Sequence, residues 1–380
     1  MALFKRGFVW IVLASIIFLI IVFFLPLLFQ STYSASLPLG DPQVVSTPVV
    51  TVTHLETPEP LKALYMTSCV AGTPSWRESL KKLIETTELN AVVIDIKDYT
   101  GDVSFRESAK CFVKDFREFI GALHQSRIYV IGRISVFQDP SYTKLFPELA
   151  VKKKSDGGVW KDHKGLSFID VGAQPYWDYI LEISNQAYEL GFDELNYDYV
   201  RYPSDGDMKD TSFTWTVGTT TKSEMLESFF KFLHDSLKDT GVKTSVDLFG
   251  MTTTVENDMN IGQVLENALP YFDYVSPMVY PSHYPAKWNG FANPAEHPYE
   301  VIKIAMSGGV AREQSFNISR GLATSTPSKL RPWLQDFNLG ATYGPDKVKA
   351  QIQATYDAGL DSWMLWNAGN KYTKEALLPE

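Results

Sequence analysis

Residues 191–206 read GFDELNYDYVRYPSDG. The segment before them, 176–190, places Tyr176, Ile180, Ile183, Ala187 and Leu190 on one face, the i, i+3, i+4 spacing of a helix packed on a sheet, and Gly191 is its stop signal. Residues 194–202 then pattern as a strand, in which period-two alternation puts Asn196 and Asp198 on one face and Arg201 on the other. A helix that runs through a glycine straight into a strand is one unit of an alternating α/β chain.

The same unit repeats in both directions. Strands are predicted at 63–68, 91–98, 129–137, 194–202, 243–249, 274–280, 330–337 and 362–368, the seventh being the weakest because Pro332 interrupts it. Helices are predicted at 76–88, 113–125, 176–190, 223–238, 261–269 and 347–358, with a short one at 299–306. Eight such units in the 320 residues after residue 60 point to a (β/α)8 TIM barrel. A doubly wound open sheet is the rival, but no G-x-G-x-x-G follows the first strand and no P-loop occurs. Residues 138–172, with KKKSDGGVWKDHKG among them, form a long insertion that a barrel would carry on its active face.

Ahead of the barrel, residues 8–29 (FVWIVLASIIFLIIVFFLPLLF) are 22 residues without a charge, long enough to cross a bilayer as a helix. Lys5 and Arg6 precede the run and the next basic residue is Lys62, so the positive-inside rule puts the N-terminus in the cytoplasm and the barrel outside. A cleaved signal peptide is the competing reading, with cleavage chemistry only at Ser34-Ala35-Ser36. Residues 31–60 are rich in Ser, Thr and Pro and show no amphipathic period, the pattern of a semi-flexible linker. The domain reading is therefore a transmembrane signal-anchor at 1–30, a linker at 31–60 and a barrel at 61–380. Lipid bilayer is the partner expected for residues 8–29, and the location is the cell membrane with the barrel extracytoplasmic, or secretion after cleavage.

Composition narrows the function. Hydrophobic residues at 45% and charged residues at 21% exclude wholesale disorder. A net charge of −9, from 35 Lys+Arg against 44 Asp+Glu, argues against nucleic acid as a main partner. Two cysteines cannot form a four-cysteine zinc site; Cys69 and Cys111 are either a disulfide of an exported domain or two buried thiols. The six histidines make no H-x-H or H-E-x-x-H spacing, and there is no G-x-S-x-G, so neither a catalytic zinc nor an α/β-hydrolase is expected.

The chemistry is expected where charges interrupt apolar strands near their C-terminal ends. Asp198 is the first choice, because a carboxylate in a barrel mouth is costly unless retained for chemistry. Asp247, in SVDLFGM on the next strand, is its natural partner. Carboxylates on neighbouring strand ends stand roughly 5–10 Å apart, a range that covers both glycosidase geometries. Asp95 and Asp98 flank Lys97 and either form a self-satisfied cluster, with Lys97 neutralising a neighbour across the barrel, or bind sugar hydroxyls or help tune the acid; Arg133 is a counter-charge to Asp198 or Asp95. Asp336 would complete a carboxylate trio. Arg201, Tyr280 and Trp366 are expected to hold the sugar, with aromatic faces against pyranose rings. No cofactor or metal is required by two-carboxylate chemistry.

The stretches VVIDIKDYTGDVSF (92–105), VIGRISVFQDP (130–140), GFDELNYDYVRYPSDG (191–206), SVDLFGM (245–251) and DYVSPMVYPSHY (273–284) resemble DUF4015, a TIM-barrel, glycosidase-like family, with coverage of residues 62–370. The resemblance implies a glycoside hydrolase fold and supports Asp198 and Asp247 as site residues. The expected function is hydrolysis of an envelope or extracellular polysaccharide. The alternatives are a non-catalytic carbohydrate-binding barrel of the envelope and an assembly protein that binds through the outer face of the barrel.

Overall fold

The computed structural model describes residues 52–379 except 217 and 323–327. Residues 8–29, predicted to be a membrane anchor, and the linker up to residue 51 lie outside the described residues. Among the described residues no helix is long and apolar enough to cross a membrane.

Eight parallel strands close into a barrel. In chain order they are β1 (Lys62–Met66), β2 (Ala91–Lys97), β3 (Tyr129–Ser135), β5 (Glu194–Asp198), β7 (Lys243–Phe249), β8 (Tyr274–Met278), β9 (Trp333–Gln335) and β10 (Trp363–Trp366), and β10 returns to pair with β1. Two short strands, β4 (Lys152–Lys153) and β6 (Thr211–Ser212), pair antiparallel outside the barrel. They knit the loop after β3 to the loop after β5. The architecture is that of a (β/α)8 TIM barrel.

Period-two alternation divides the apolar residues into two cores. One face of the strands, including Ala63, Tyr65, Val93, Ile131, Trp333 and Met364, packs inside the barrel. The other face, including Leu64, Val92, Val130, Leu195 and Val246, packs against the helices. The helix Gln174–Leu190 buries Tyr176, Ile180, Ile183 and Ala187 there. The helix Lys222–Leu237 starts in a capping box, the Thr221 hydroxyl accepting from Glu224 N while the Glu224 carboxylate accepts from Thr221 N.

Several elements depart from the sequence expectation. The strand predicted at 194–202 stops at Asp198, where Tyr199 turns left-handed with φ of 52°, so Arg201 lies beyond the strand and not on its opposite face. The predicted short helix at 299–306 runs on as Pro298–Ser319, through Gly308 and Gly309. A Cβ at Gly308 would stand 3.0 Å from Thr253 O, and one at Gly309 would stand 3.2 Å from Leu330 Cδ1. These glycines let the helix approach its neighbours closely and do not end it. The predicted helix at 261–269 shrinks to Leu265–Ala268, because Gln263 is turned inward: its Oε1 accepts from Phe249 N and its Nε2 donates to Val200 O. The predicted seventh strand shrinks to Trp333–Gln335 with an isolated bridge at Leu330, since Pro332 has no N–H to give the ladder. Pro332 O still accepts from Met364 N at 2.9 Å.

The Pro-rich pattern predicts a linker through residue 60, yet residues 52–60 lie along the N-terminal end of the barrel. Buried Asp193 ties them down: it accepts from Leu55 N at 2.7 Å, from Val130 N at 2.8 Å and from His124 Nε2 at 2.9 Å. The Thr57 hydroxyl meets Tyr129 Oη at 3.0 Å. Asp193→Ala would strand two backbone donors, a loss of about 2–4 kcal/mol by the cost of buried unsatisfied groups. Urea denaturation is expected to show that loss, together with faster proteolysis within residues 52–60; an unchanged midpoint would remove Asp193 as the clasp. At the opposite end, Cys69 and Cys111 form a disulfide between the segments that follow β1 and β2.

Candidate active site

Parallel register aligns the polar residues of the strands. Asp95 of β2 faces Arg133 of β3, Arg133 faces Asn196 of β5, Asn196 faces Ser245 of β7, and Asp247 faces Ser276 of β8. Cross-strand partners share a face of the sheet, and here that face is the barrel interior. Asp198 and Asp247 stand one step beyond the last β5–β7 pair, Tyr197 with Val246. They are therefore side by side on strands whose spacing is roughly 4.8 Å.

The two carboxyl groups have different surroundings. Asp198 is ion-paired: Arg133 Nη2 reaches its Oδ2 at 2.5 Å and Nε at 3.1 Å, while Tyr199 N donates to Oδ1 at 2.5 Å. Arg133 Nη1 also holds Asp95 Oδ1 at 2.7 Å, and Tyr65 Oη donates to Asp95 Oδ2 at 2.5 Å. The guanidinium thus bridges two buried carboxylates. Burial still pushes the Asp95 carboxyl above its usual range, outweighing the opposing pull of Arg133. Asp247 has no cation in contact among the described residues. Its Oδ1 accepts from Asn196 Nδ2 and Trp333 Nε1, each at 2.8 Å, and Oδ2 makes no hydrogen bond among the described residues. Burial first, and then the charge of Asp198, push Asp247 well above the ordinary carboxylate range. The raised pKa favours the protonated form, and its proton would go to Oδ2, the oxygen that the two N–H donors leave free.

Above this floor is a cavity of about 350 Å³, lined by Arg133, Asp198, Tyr199, Arg201, Phe249, Gly250, Met251, Met278, Tyr280, His283, Tyr284 and Trp366. Asp247, 1% exposed, lies beneath it and is not part of its wall. Trp366 stacks on Tyr65 at 3.9 Å and meets Trp333 edge-on at 5.5 Å, so the aromatic wall is rigid. The buried Tyr284 hydroxyl has no partner among the described residues. A Cβ at Gly250 would stand 2.7 Å from that hydroxyl and 2.6 Å from Met278 O, so only glycine admits Tyr284 to the wall. Tyr199 has φ of 52°, a left-handed conformation that costs a bulky residue of order 1–3 kcal/mol and persists mainly at functional sites.

Of the residues predicted for the site, Asp198, Arg133, Arg201, Tyr280 and Trp366 line the cavity, Asp247 lies under it, and Asp95 stands behind Arg133. Asp98 is elsewhere. Its Oδ1 accepts from Thr100 N, Thr100 Oγ1 and Asp102 N, so it braces its own loop. Asp336 completes no trio, because both of its oxygens are taken by Thr373. Lys97 neutralises neither flanking aspartate: a register shift after Asp95 turns it away, and its Nζ pairs with Asp139 at 2.9 Å. The sequence gives no separate notice of Trp333, which orients Asp247 from β9, two strands away around the barrel. Phe249, Met251, Met278 and Tyr284 also join the wall; their only sequence signal is position at or just beyond a strand end. Among the described residues no cluster of His, Cys, Asp and Glu side chains is placed to hold a metal ion.

A closed (β/α)8 barrel with ionisable and aromatic side chains at the C-terminal mouth defines the class: a barrel of the glycoside hydrolase type. The family model of DUF4015, described as "putative glycosyl hydrolase domain", matches residues 63–372, and the chain belongs to that family. No curated protein matches it. A hypothetical protein from Ruminiclostridium thermocellum ATCC 27405 is 32% identical over 48% of this chain and 96% of its own, with a TM-score of 0.44. The glycoside hydrolase domain of PgaB (BpsB) from Bordetella bronchiseptica is 13% identical over 82% of this chain and 95% of its own, with a TM-score of 0.58. The α-L-fucosidase isoenzyme 2 of Paenibacillus thiaminolyticus is 10% identical over 83% of this chain and 48% of its own, with a TM-score of 0.56. The last two share the fold.

Proposed function

We propose that this protein is a glycoside hydrolase that cleaves an envelope or extracellular polysaccharide with two carboxyl groups, Asp247 as general acid and Asp198 as nucleophile or base. The observation that carries the reading is the contrast between these neighbours. One is an ion-paired carboxylate in the cavity wall. The other is a buried carboxyl held by two N–H donors on a single oxygen. An ion-paired carboxylate beside a buried carboxyl whose pKa is raised offers the anion and the acid that glycoside cleavage needs. The aromatic wall of Trp366 and Tyr280 offers flat apolar faces to a sugar ring.

The location proposed is the cell membrane, anchored by residues 8–29 with the barrel outside. Its supports are the uncharged run itself and the disulfide, since disulfides persist in oxidising compartments. The test is release of reducing ends by the full-length chain from a panel of envelope and extracellular polysaccharides, with Asp198→Asn as control. Wild type is expected to release them and the variant to lose at least a hundredfold in rate; equal release by both would take Asp198 out of the mechanism. A second reading, a non-catalytic carbohydrate-binding barrel, draws on the position of Asp247 below the cavity wall. Saturable binding of one glycan by both proteins without release would favour it.

A further inference from the structure

The two arginines of the mouth are not alike. Arg133 spends its fork on Asp95 and Asp198. Arg201 has no carboxylate within ion-pair distance among the described residues. Its Nη1 donates to Tyr202 O and Ser204 Oγ, both at 3.2 Å, and its Nε and Nη2 have no hydrogen-bond partner there. The guanidinium is nevertheless held in place, 5.1 Å from the Tyr199 ring centroid and 5.0 Å from that of Phe249. Burial lowers its pKa from the ordinary value, but an arginine remains charged in proteins.

Arg201 and Tyr199 line a second cavity as well, of about 370 Å³, which opens toward the insertion after β3. Arg201 therefore stands on the wall shared by these two adjacent chambers. The far chamber adds Lys164, which has no ion pair among the described residues, and exposed Tyr99. It also holds two acids. Asp162 turns its Oδ1 to the backbone N–H groups of Lys164 and Leu166, and Asp205 lies 3.6 Å from His163 Nε2. Neither comes within ion-pair distance of Arg201, although their charges, like that of Asp198, act on it through space.

A fixed, charged fork that makes no contact ion pair in a ligand cleft matches a planar anion, and the bidentate match of guanidinium to carboxylate is geometric as well as electrostatic. We propose that the glycan accepted here carries a carboxylate on the sugar unit seated between the two chambers, as a uronate does, and that Arg201 holds it through Nε and Nη2. This rests on the carbohydrate reading of the site but not on turnover.

The test is calorimetric binding to the full-length chain of matched oligosaccharide pairs: hexasaccharides of several uronate-containing backbones, and the same hexasaccharides with each carboxyl reduced to a primary alcohol. Wild type is expected to bind the acidic member of at least one pair tenfold or more tighter than its reduced partner, with a preference that weakens as salt is raised. Arg201→Gln is expected to collapse that ratio to within threefold, and Arg201→Lys, which keeps the charge but loses the fork, to restore only part of it. Equal or weaker affinity of wild type for every acidic member overturns the proposal whether or not the variants fold, as does an acidic preference that survives in folded Arg201→Gln. Cleavage of a neutral polysaccharide with no acidic preference would leave the hydrolase standing and this inference fallen. Arg201-dependent binding of an acidic glycan that wild type never cleaves would do the reverse.

Discussion

Asp247→Asn is expected to lower turnover of a polysaccharide by about 10²–10⁴-fold, the usual contribution of general acid catalysis. Asparagine can still accept from Asn196 and Trp333 through its carbonyl, so the loss is chemical and not steric. The deciding comparison is an aryl glycoside whose leaving group departs without a proton. The variant should keep most of its rate on that substrate, and equal losses on both would make Asp247 a positioning residue. The pH profile carries the same argument. Because the folded-state pKa of Asp247 is raised, the proton needed for leaving-group departure is present below that pKa and lost as pH rises through it. The alkaline limb of kcat/KM should therefore fall well above the usual aspartate value of about 4. Stability follows with the same sign. A group whose pKa is higher folded than unfolded stabilises fully below its unfolded pKa, and that contribution fades as pH rises toward its folded pKa. Asp247→Asn removes this dependence, so its Tm advantage over wild type should grow with pH across that window.

Arg133→Leu is expected to cost about 3–5 kcal/mol of stability, the range for breaking a buried ion pair and leaving its charge uncompensated. Two carboxylates lose their counter-charge at once, since Arg133 bridges Asp95 and Asp198 across three strands. Protonation relieves uncompensated carboxylates, so the deficit should be smaller at pH 5 than at pH 8 in urea denaturation. Adding Asp95→Asn to Arg133→Leu should recover part of the loss. A deficit independent of pH, or no recovery, would show that Arg133 acts through packing over Trp366 and Tyr65 and not through charge.

The order of strands and helices was legible because it rests on short-range pattern. Lys243–Phe249 is a strand in the sequence and in the structure alike, bounded by a glycine on each side. Gly308 and Gly309 show the limit of that method. A glycine that ends a helix and one that admits a neighbouring backbone look the same in one dimension. Pro332 did the same to its surroundings: it weakened the seventh strand as a prediction and so hid Trp333, which donates to Asp247.

By itself the sequence determined the alternating architecture and the strand ends that carry charge, because each follows from periodicity within a few residues. It could not separate Asp198 from Asp336 or Asp98, three carboxylates at or just beyond strand ends. Tertiary structure separated them through partners distant in the chain: Arg133 for Asp198, Thr373 for Asp336, and for Asp98 only its own loop. It likewise decided that Arg133 is ion-paired while Arg201, among the described residues, is not. Counter-charge and desolvation act through space over a few ångströms, and which groups come that close is set by closure of the barrel.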